Sequence, residues 1–140
     1  VVHRDVKPSN VVITPADGLK LVDFGVAFDE EAVTRLTATN AAVGTVLYMA
    51  PEQVRGEPCD ARSDVYALGA TLHHALSGRA PFEADHAALL LEHILRRPPD
   101  SIRALRPDVP EGVEALLRRC LSKSPGARPA AAGLVAIELR

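Results

Sequence analysis

His3-Arg4-Asp5-Val6-Lys7-Pro8-Ser9-Asn10, then Val11-Val12-Ile13, a turn at Pro15, Asp17 and Gly18, then Leu19-Lys20-Leu21-Val22 and Asp23-Phe24-Gly25: this stretch decides the fold. Two short runs of β-branched residues and leucine, joined by a Pro/Gly turn, predict a β-hairpin. Polar groups stand at its open end on both arms. Closing the hairpin brings Asn10 on one arm beside Asp23 on the other. A carboxylate and an amide oxygen on one side of a cleft suit Mg²⁺, a hard cation that takes oxygen ligands and completes its shell with phosphate oxygens. Asp5 and Lys7 sit on the loop just before. The carboxylate can orient a hydroxyl nucleophile, and the ammonium can offset charge on a transferred phosphoryl group. The plain alternative is an ordinary hairpin with a polar turn.

At these residues the chain resembles the eukaryotic-type (Hanks-type) protein serine/threonine kinases, in a bacterial-like form. His3-Arg4-Asp5 through Asn10 matches the catalytic loop, and Asp23-Phe24-Gly25 the metal-binding motif. A lone Asp-Phe-Gly is weak, but the catalytic loop at the right distance upstream is hard to obtain by chance. The resemblance implies that Asp5 and Lys7 are catalytic and that Asn10 and Asp23 hold the metal. Lys7, Asn10, Val12 and Asp23 would bind ATP, with Val12 under the adenine ring. The implied cofactors are ATP and Mg²⁺, with Mn²⁺ as a substitute. Lys7 two residues after Asp5 is the serine/threonine-kinase choice. His3 reads as a packed scaffold. Arg4 before Asp5 marks kinases whose activation segment is controlled by phosphorylation, because a phosphothreonine would supply its counter-charge.

Further along, Thr37 and Thr39 resemble the paired activation-loop phosphorylation sites of bacterial members. Phe28, followed by Asp29-Glu30-Glu31, stands where relatives often carry a basic residue, so Arg4 has less help in holding a phosphate. Gly44-Thr45 and Tyr48-Met49-Ala50-Pro51-Glu52 resemble the substrate-docking loop and its anchor. By resemblance Thr45 bonds the catalytic loop, Glu52 pairs with Arg128, and Asp64 bonds the backbone at His3-Arg4. Ser124 replaces an Asp usual after Lys123.

Composition fits these expectations. With 140 residues, 47% hydrophobic and 24% charged, the chain is one domain with a real core. A net charge of −2 suggests no nucleic acid and no anionic membrane as partner. Cys59 and Cys120 lie far apart and form no CxxC or disulfide framework, which fits a reducing cytosol. His73 and His74 are adjacent on a predicted helix and point apart, a poor metal pair. No apolar run approaches the roughly 20 residues that span a bilayer.

Four helices are predicted. The first begins around Arg62, with Ser63 or Asp64 suited to its N-terminal end, is apolar nearly all round from Val65 to Leu76, and stops at Ser77-Gly78. The others run from Asp85 to Arg97, from Glu111 to Leu121, and from Pro129 to Leu139. The expected fold is mainly α with a small antiparallel β-hairpin, a protein-kinase-like C-lobe whose N-lobe is missing. Its parts are a catalytic loop at 3–10, a metal-binding motif at 23–25, an activation segment at 23–52 and a helical lobe at 62–140. Together they make residues 1–140 a partial protein kinase domain.

An intact kinase also needs a Gly-rich loop over the phosphates, a strand lysine and a helix glutamate. None of these is found, and Lys20 lies outside a Val-Ala-Ile-Lys context. The expected function is transfer of the ATP γ-phosphate to Ser/Thr hydroxyls of a protein substrate by the parent polypeptide, with its N-lobe as partner and dimerisation open to it. The chain alone would be inactive. The domain would be cytoplasmic, with any membrane anchor of the parent in a segment outside these residues. The alternative is a truncated, non-catalytic kinase-like binding fragment. A small-molecule kinase shares an Asp…Asn…Asp site but usually lacks the Gly44-to-Glu52 docking segment.

Overall fold

The computed structural model describes residues 2–15, 18–23 and 43–140, with Val43 and Thr45 described in their backbone alone. Phe24, Gly25, Phe28, Thr37 and Thr39 lie outside the described residues.

A 3-10 turn at Pro8–Asn10 feeds strand β1, Val11–Thr14, which pairs antiparallel with β2, Gly18–Leu21. Val11 faces Leu21, Val12 faces Lys20 and Ile13 faces Leu19. Gly18 has φ +72°, a left-handed conformation that glycine adopts without steric cost. Side chains alternate across a strand, so Val11, Ile13, Leu19 and Leu21 share one face. Ile13 is 79% exposed. Val12 is 40% exposed, because two strands alone bury little of either face.

Seven helices follow among the described residues: α1 Val43–Val46, α2 Pro51–Val54, α3 Ala61–Ser77, α4 Ala87–Arg96, α5 Ile102–Leu105, α6 Glu111–Cys120 and α7 Ala132–Glu138. Three of them, α1, α2 and α5, are single turns beyond the four helices predicted from the sequence. Four residues carry too little periodicity to announce a helix.

The helix around which the others pack is α3, which touches α5, α6, α7 and the 3-10 turn before β1. Val65, Tyr66, Ala67, Gly69 and Ala70 are all buried, as expected for a helix apolar nearly all round. On one side Tyr66 and Ala70 join Val46, Tyr48, Met49, Phe82, Leu90, Ile94 and Leu121 in the largest core cluster. On the other, Val65 packs with Leu116, Cys120 and Val135. A Cβ on Gly69 would lie 2.6 Å from the Cβ of Cys120, so only glycine lets α3 and α6 approach this closely. Gly78 closes α3 in the left-handed conformation, φ +76°, its N–H donating to His74 O at 2.8 Å.

Three helix starts differ from the sequence reading, and one of them is α4, which begins at Ala87 behind the cap His86 and not at Asp85. The N-cap of α3 is Asp60, whose carboxylate accepts from the Arg62 N–H at 2.8 Å, not Ser63 or Asp64. Both of those side chains turn inward to distant partners. The last helix begins at Ala132, not Pro129. Arg128 precedes a proline and is extended at φ −86°, ψ 158°. Ala131 is extended as well, so the chain enters α7 only after it.

Candidate active site

Asp64, at the start of α3, anchors the loop before the hairpin. Its Oδ2 accepts the His3 N–H at 2.7 Å and its Oδ1 the Arg4 N–H at 2.8 Å. Each is a charge-assisted bond, stronger than its neutral counterpart. Between them they hold Arg4 at φ +66°, which a residue with a Cβ seldom adopts. His3 is buried, and its Nδ1 accepts the Asp5 N–H at 3.4 Å. The loop is also held from a second direction. The buried Gln53 donates through Nε2 to Arg4 O at 3.1 Å and accepts the Ala50 N–H through Oε1 at 3.0 Å. One amide thus ties α2 to the backbone one residue before Asp5. The sequence reading missed it, because a side chain bridging two backbones this far apart leaves no local pattern.

Three polar side chains meet on this loop. Lys7 Nζ lies 2.8 Å from Asp5 Oδ2. The buried Asn10 donates through Nδ2 to Asp5 O at 2.8 Å and to Asp5 Oδ2 at 3.0 Å. Asp5 stays partly open to solvent at 27% side-chain exposure, which leaves it accessible to an incoming group. The hairpin sets Asn10 level with Val22, whose N–H donates to Asn10 O at 2.9 Å, so Asp23 stands one residue beyond. Asp23 is exposed and has φ +54°. Both positive-φ residues other than glycine among the described residues, Arg4 and Asp23, therefore flank this site. Backbone strain of this kind gathers at functional sites.

Among the described residues no three His, Cys, Asp or Glu side chains cluster tightly enough to cage a metal. The donor set still fits Mg²⁺. That ion takes one or two protein oxygens and leaves the rest of its octahedron to waters and phosphate. Both Asn10 amide bonds use its nitrogen, which leaves the amide oxygen as the atom to offer a cation.

Glu52 and Arg128 form a buried pair that joins α2 to the segment before α7. Arg128 Nη1 bonds Glu52 Oε1 at 2.6 Å and Nη2 bonds Oε2 at 2.8 Å. The remaining Arg128 donors reach Arg62 O, Ser122 O and Lys123 O. Ser63 donates to Glu52 Oε1 at 2.7 Å. Burial raises the Glu52 pKa, and the bonds from Arg128 and Ser63 outweigh it, so the carboxyl sits below its ordinary value. All five donors of the guanidinium are used, so the buried charge is compensated.

The two histidines of α3 do point apart. His73 Nδ1 lies 3.1 Å from Arg79 O, and His74 Nδ1 lies 2.7 Å from the Tyr48 hydroxyl. Cys59 and Cys120 are both free thiols, and burial pushes the Cys120 thiol up to about 11. Thr45 falls within α1, and its side chain lies outside what is described. No helix among the described residues is long and apolar enough to cross a membrane.

The loop before the hairpin thus carries Asp5, Lys7 and Asn10 together and is clamped from α3 by the Asp64 carboxylate. The protein kinase domain model matches residues 1–138, and the chain belongs to the protein kinase family. It is 38% identical to the probable serine/threonine-protein kinase PknB of Corynebacterium glutamicum, over 99% of this chain and 22% of that protein. It is 42% identical to the serine/threonine-protein kinase PknH of Mycobacterium tuberculosis, over 98% of this chain and 22% of that protein. It is 40% identical to the tyrosine-protein kinase MasK of Myxococcus xanthus, over 89% of this chain and 19% of that protein. The chain thus spans about a fifth of the length of these curated relatives.

Proposed function

We propose that this chain forms the metal-holding and acceptor-orienting wall of a protein serine/threonine kinase site, used with an N-terminal lobe that grips ATP. The carrying observation is the convergence of Lys7 and Asn10 on one oxygen of Asp5. Asp5 orients the acceptor hydroxyl and takes its proton late in transfer. Lys7 steadies Asp5 and offsets charge on the moving phosphoryl group. Asn10 and Asp23 would hold Mg²⁺, which when bound neutralises charge on the phosphate oxygens. Val12, open on its strand, would face the adenine ring. His3, Arg4, Gln53 and Asp64 position the loop, Glu52 and Arg128 brace it, and Thr45 would line the acceptor's docking loop. Thr37 and Thr39 would be phosphorylated in activation. By this reading residues 3–10, 23–25, 23–52 and 62–140 are the catalytic loop, metal motif, activation segment and helical lobe.

The substrate is a protein Ser or Thr hydroxyl, a choice supported by Lys7 and by the names of most of the relatives. The test joins this chain in frame behind the N-terminal kinase lobe of the C. glutamicum relative and supplies Mg-ATP with peptides bearing a single Ser, Thr or Tyr. Phosphorylated Ser and Thr peptides, with the chain alone inert, support the reading. Phosphate on the Tyr peptide alone overturns the acceptor class. A folded, ATP-binding chimera that transfers nothing would favour a non-catalytic binding fragment.

A further inference from the structure

We propose that the cleft between the C-terminal ends of α4 and α6 is a second binding site, for an organic anion built of an apolar body and a phosphate or carboxylate head. The cleft has a volume of about 470 Å³ and is lined by Arg96, Pro98, Pro99, Arg118, Leu121 and Lys123, with Ser122. That volume lies within the ordinary range of small-molecule sites. None of the side chains proposed for phosphoryl transfer lines it.

Three cationic residues line the cleft and no carboxylate does. Arg96 has no ion-pair partner among the described residues. Arg118 reaches Glu114 only at 3.6 Å, and Glu114 also accepts a bond from Ser101. Lys123 is half-buried. Its Nζ lies 3.3 Å from His93 O and 3.9 Å from the centre of the Phe82 ring, contacts that carry no negative charge. An ammonium taken out of water this way needs a counter-charge to offset its lost hydration. Its pKa is accordingly lowered to about 8, by burial first and then by the nearby Arg128. An anionic head would supply that charge. Pro98, Pro99 and the buried Leu121 would cover an apolar body. Cations over an apolar floor discriminate against both a bare inorganic ion and a neutral ring.

A free phosphomonoester and a phosphorylated or acidic protein side chain present the same chemistry. The test uses the full chain, labelled with ¹⁵N and titrated with phenyl phosphate, inorganic phosphate, phenol, or an Ala-rich phosphotyrosyl tetrapeptide. The site predicts saturable amide shifts at Arg96, Arg97, Leu121, Ser122 and Lys123. It predicts phenyl phosphate binding at least tenfold tighter than inorganic phosphate or phenol. Lys123→Met should weaken phenyl phosphate at least tenfold. So should Arg96→Glu with Arg118→Glu, two exposed positions whose change leaves the core untouched. A tetrapeptide that binds tighter than phenyl phosphate assigns the ligand to protein, and a weaker one to a small molecule. The site is refuted if inorganic phosphate binds as tightly, if the shifts fall elsewhere, or if the charge-reversed variant binds unchanged.

Discussion

Asp64 accepts the backbone N–H groups of both His3 and Arg4, at 2.7 and 2.8 Å, and so fixes the two residues before the proposed catalytic Asp5. Removing the carboxylate leaves two donors and a left-handed Arg4 without their clamp. Asp64→Ala should lower folding stability by about 2–4 kcal/mol, taking hydrogen bonds to a charged group at about 1.5–3 kcal/mol each with partial replacement by water. Urea denaturation of the full chain checks this. An unchanged midpoint would mean the loop is held by other contacts.

Gln53 predicts a smaller loss of the same kind. Gln53→Leu keeps the volume but strands the Ala50 N–H and the Arg4 carbonyl, at a cost of about 1–3 kcal/mol. In the chimeric kinase it should depress turnover more than ATP affinity, because its target is the backbone beside Asp5. Steady-state kinetics with ATP and peptide varied in turn reads the difference.

Glu52 and Arg128 should behave as a unit. Arg128→Met leaves a buried carboxylate without its cation, a loss of about 3–5 kcal/mol. Adding Glu52→Leu should recover part of it, since no charge then stays buried. A double variant no more stable than Arg128→Met would contradict the pairing account.

The same pair sets the acid limb of stability. The folded Glu52 pKa lies below its unfolded value of about 4.3, so its contribution is complete above that pH. It is lost as pH falls through the lower, folded value. Stability followed from pH 6 to pH 3 should fall, and Glu52→Gln should flatten that fall while lowering stability at neutral pH.

At Gly69 the prediction turns on a single atom. Gly69→Ala drives a Cβ into that of Cys120 and should cost about 1–3 kcal/mol. Cys120→Ala keeps the opposing Cβ and should not relieve the clash. Cys120→Gly removes that Cβ and should relieve part of it. Thermal denaturation of the two double variants decides the matter.

The hairpin was legible because its two apolar runs and Gly18 turn are local signals, and α3, α4 and α6 because their apolar stripes span whole turns. Asp5, Lys7 and Asn10 could be named because residues 3–10 resemble the kinase catalytic loop, and their side chains do meet. What was hidden depends on partners far away in the chain. Asp60, Ser63 and Asp64 are all acceptable caps for α3, and only the distant calls of Glu52 on Ser63 and of His3-Arg4 on Asp64 leave the cap to Asp60. Pro129 looked like a helix start, yet the five bonds of Arg128 fix the residue before it. Gln53 sits in a four-residue helix and shows its purpose only once Arg4 lies against it.

The central claim is that Asp5 orients the acceptor hydroxyl, and single-turnover phosphate transfer by the Asp5→Asn chimera tests it most directly. The substitution keeps the size of the side chain and removes its charge. The account predicts unchanged Mg-ATP binding with a transfer rate lower by about 10²–10⁴-fold, the usual weight of a positioned proton acceptor. A transfer rate within a few-fold of the parent chimera would contradict it.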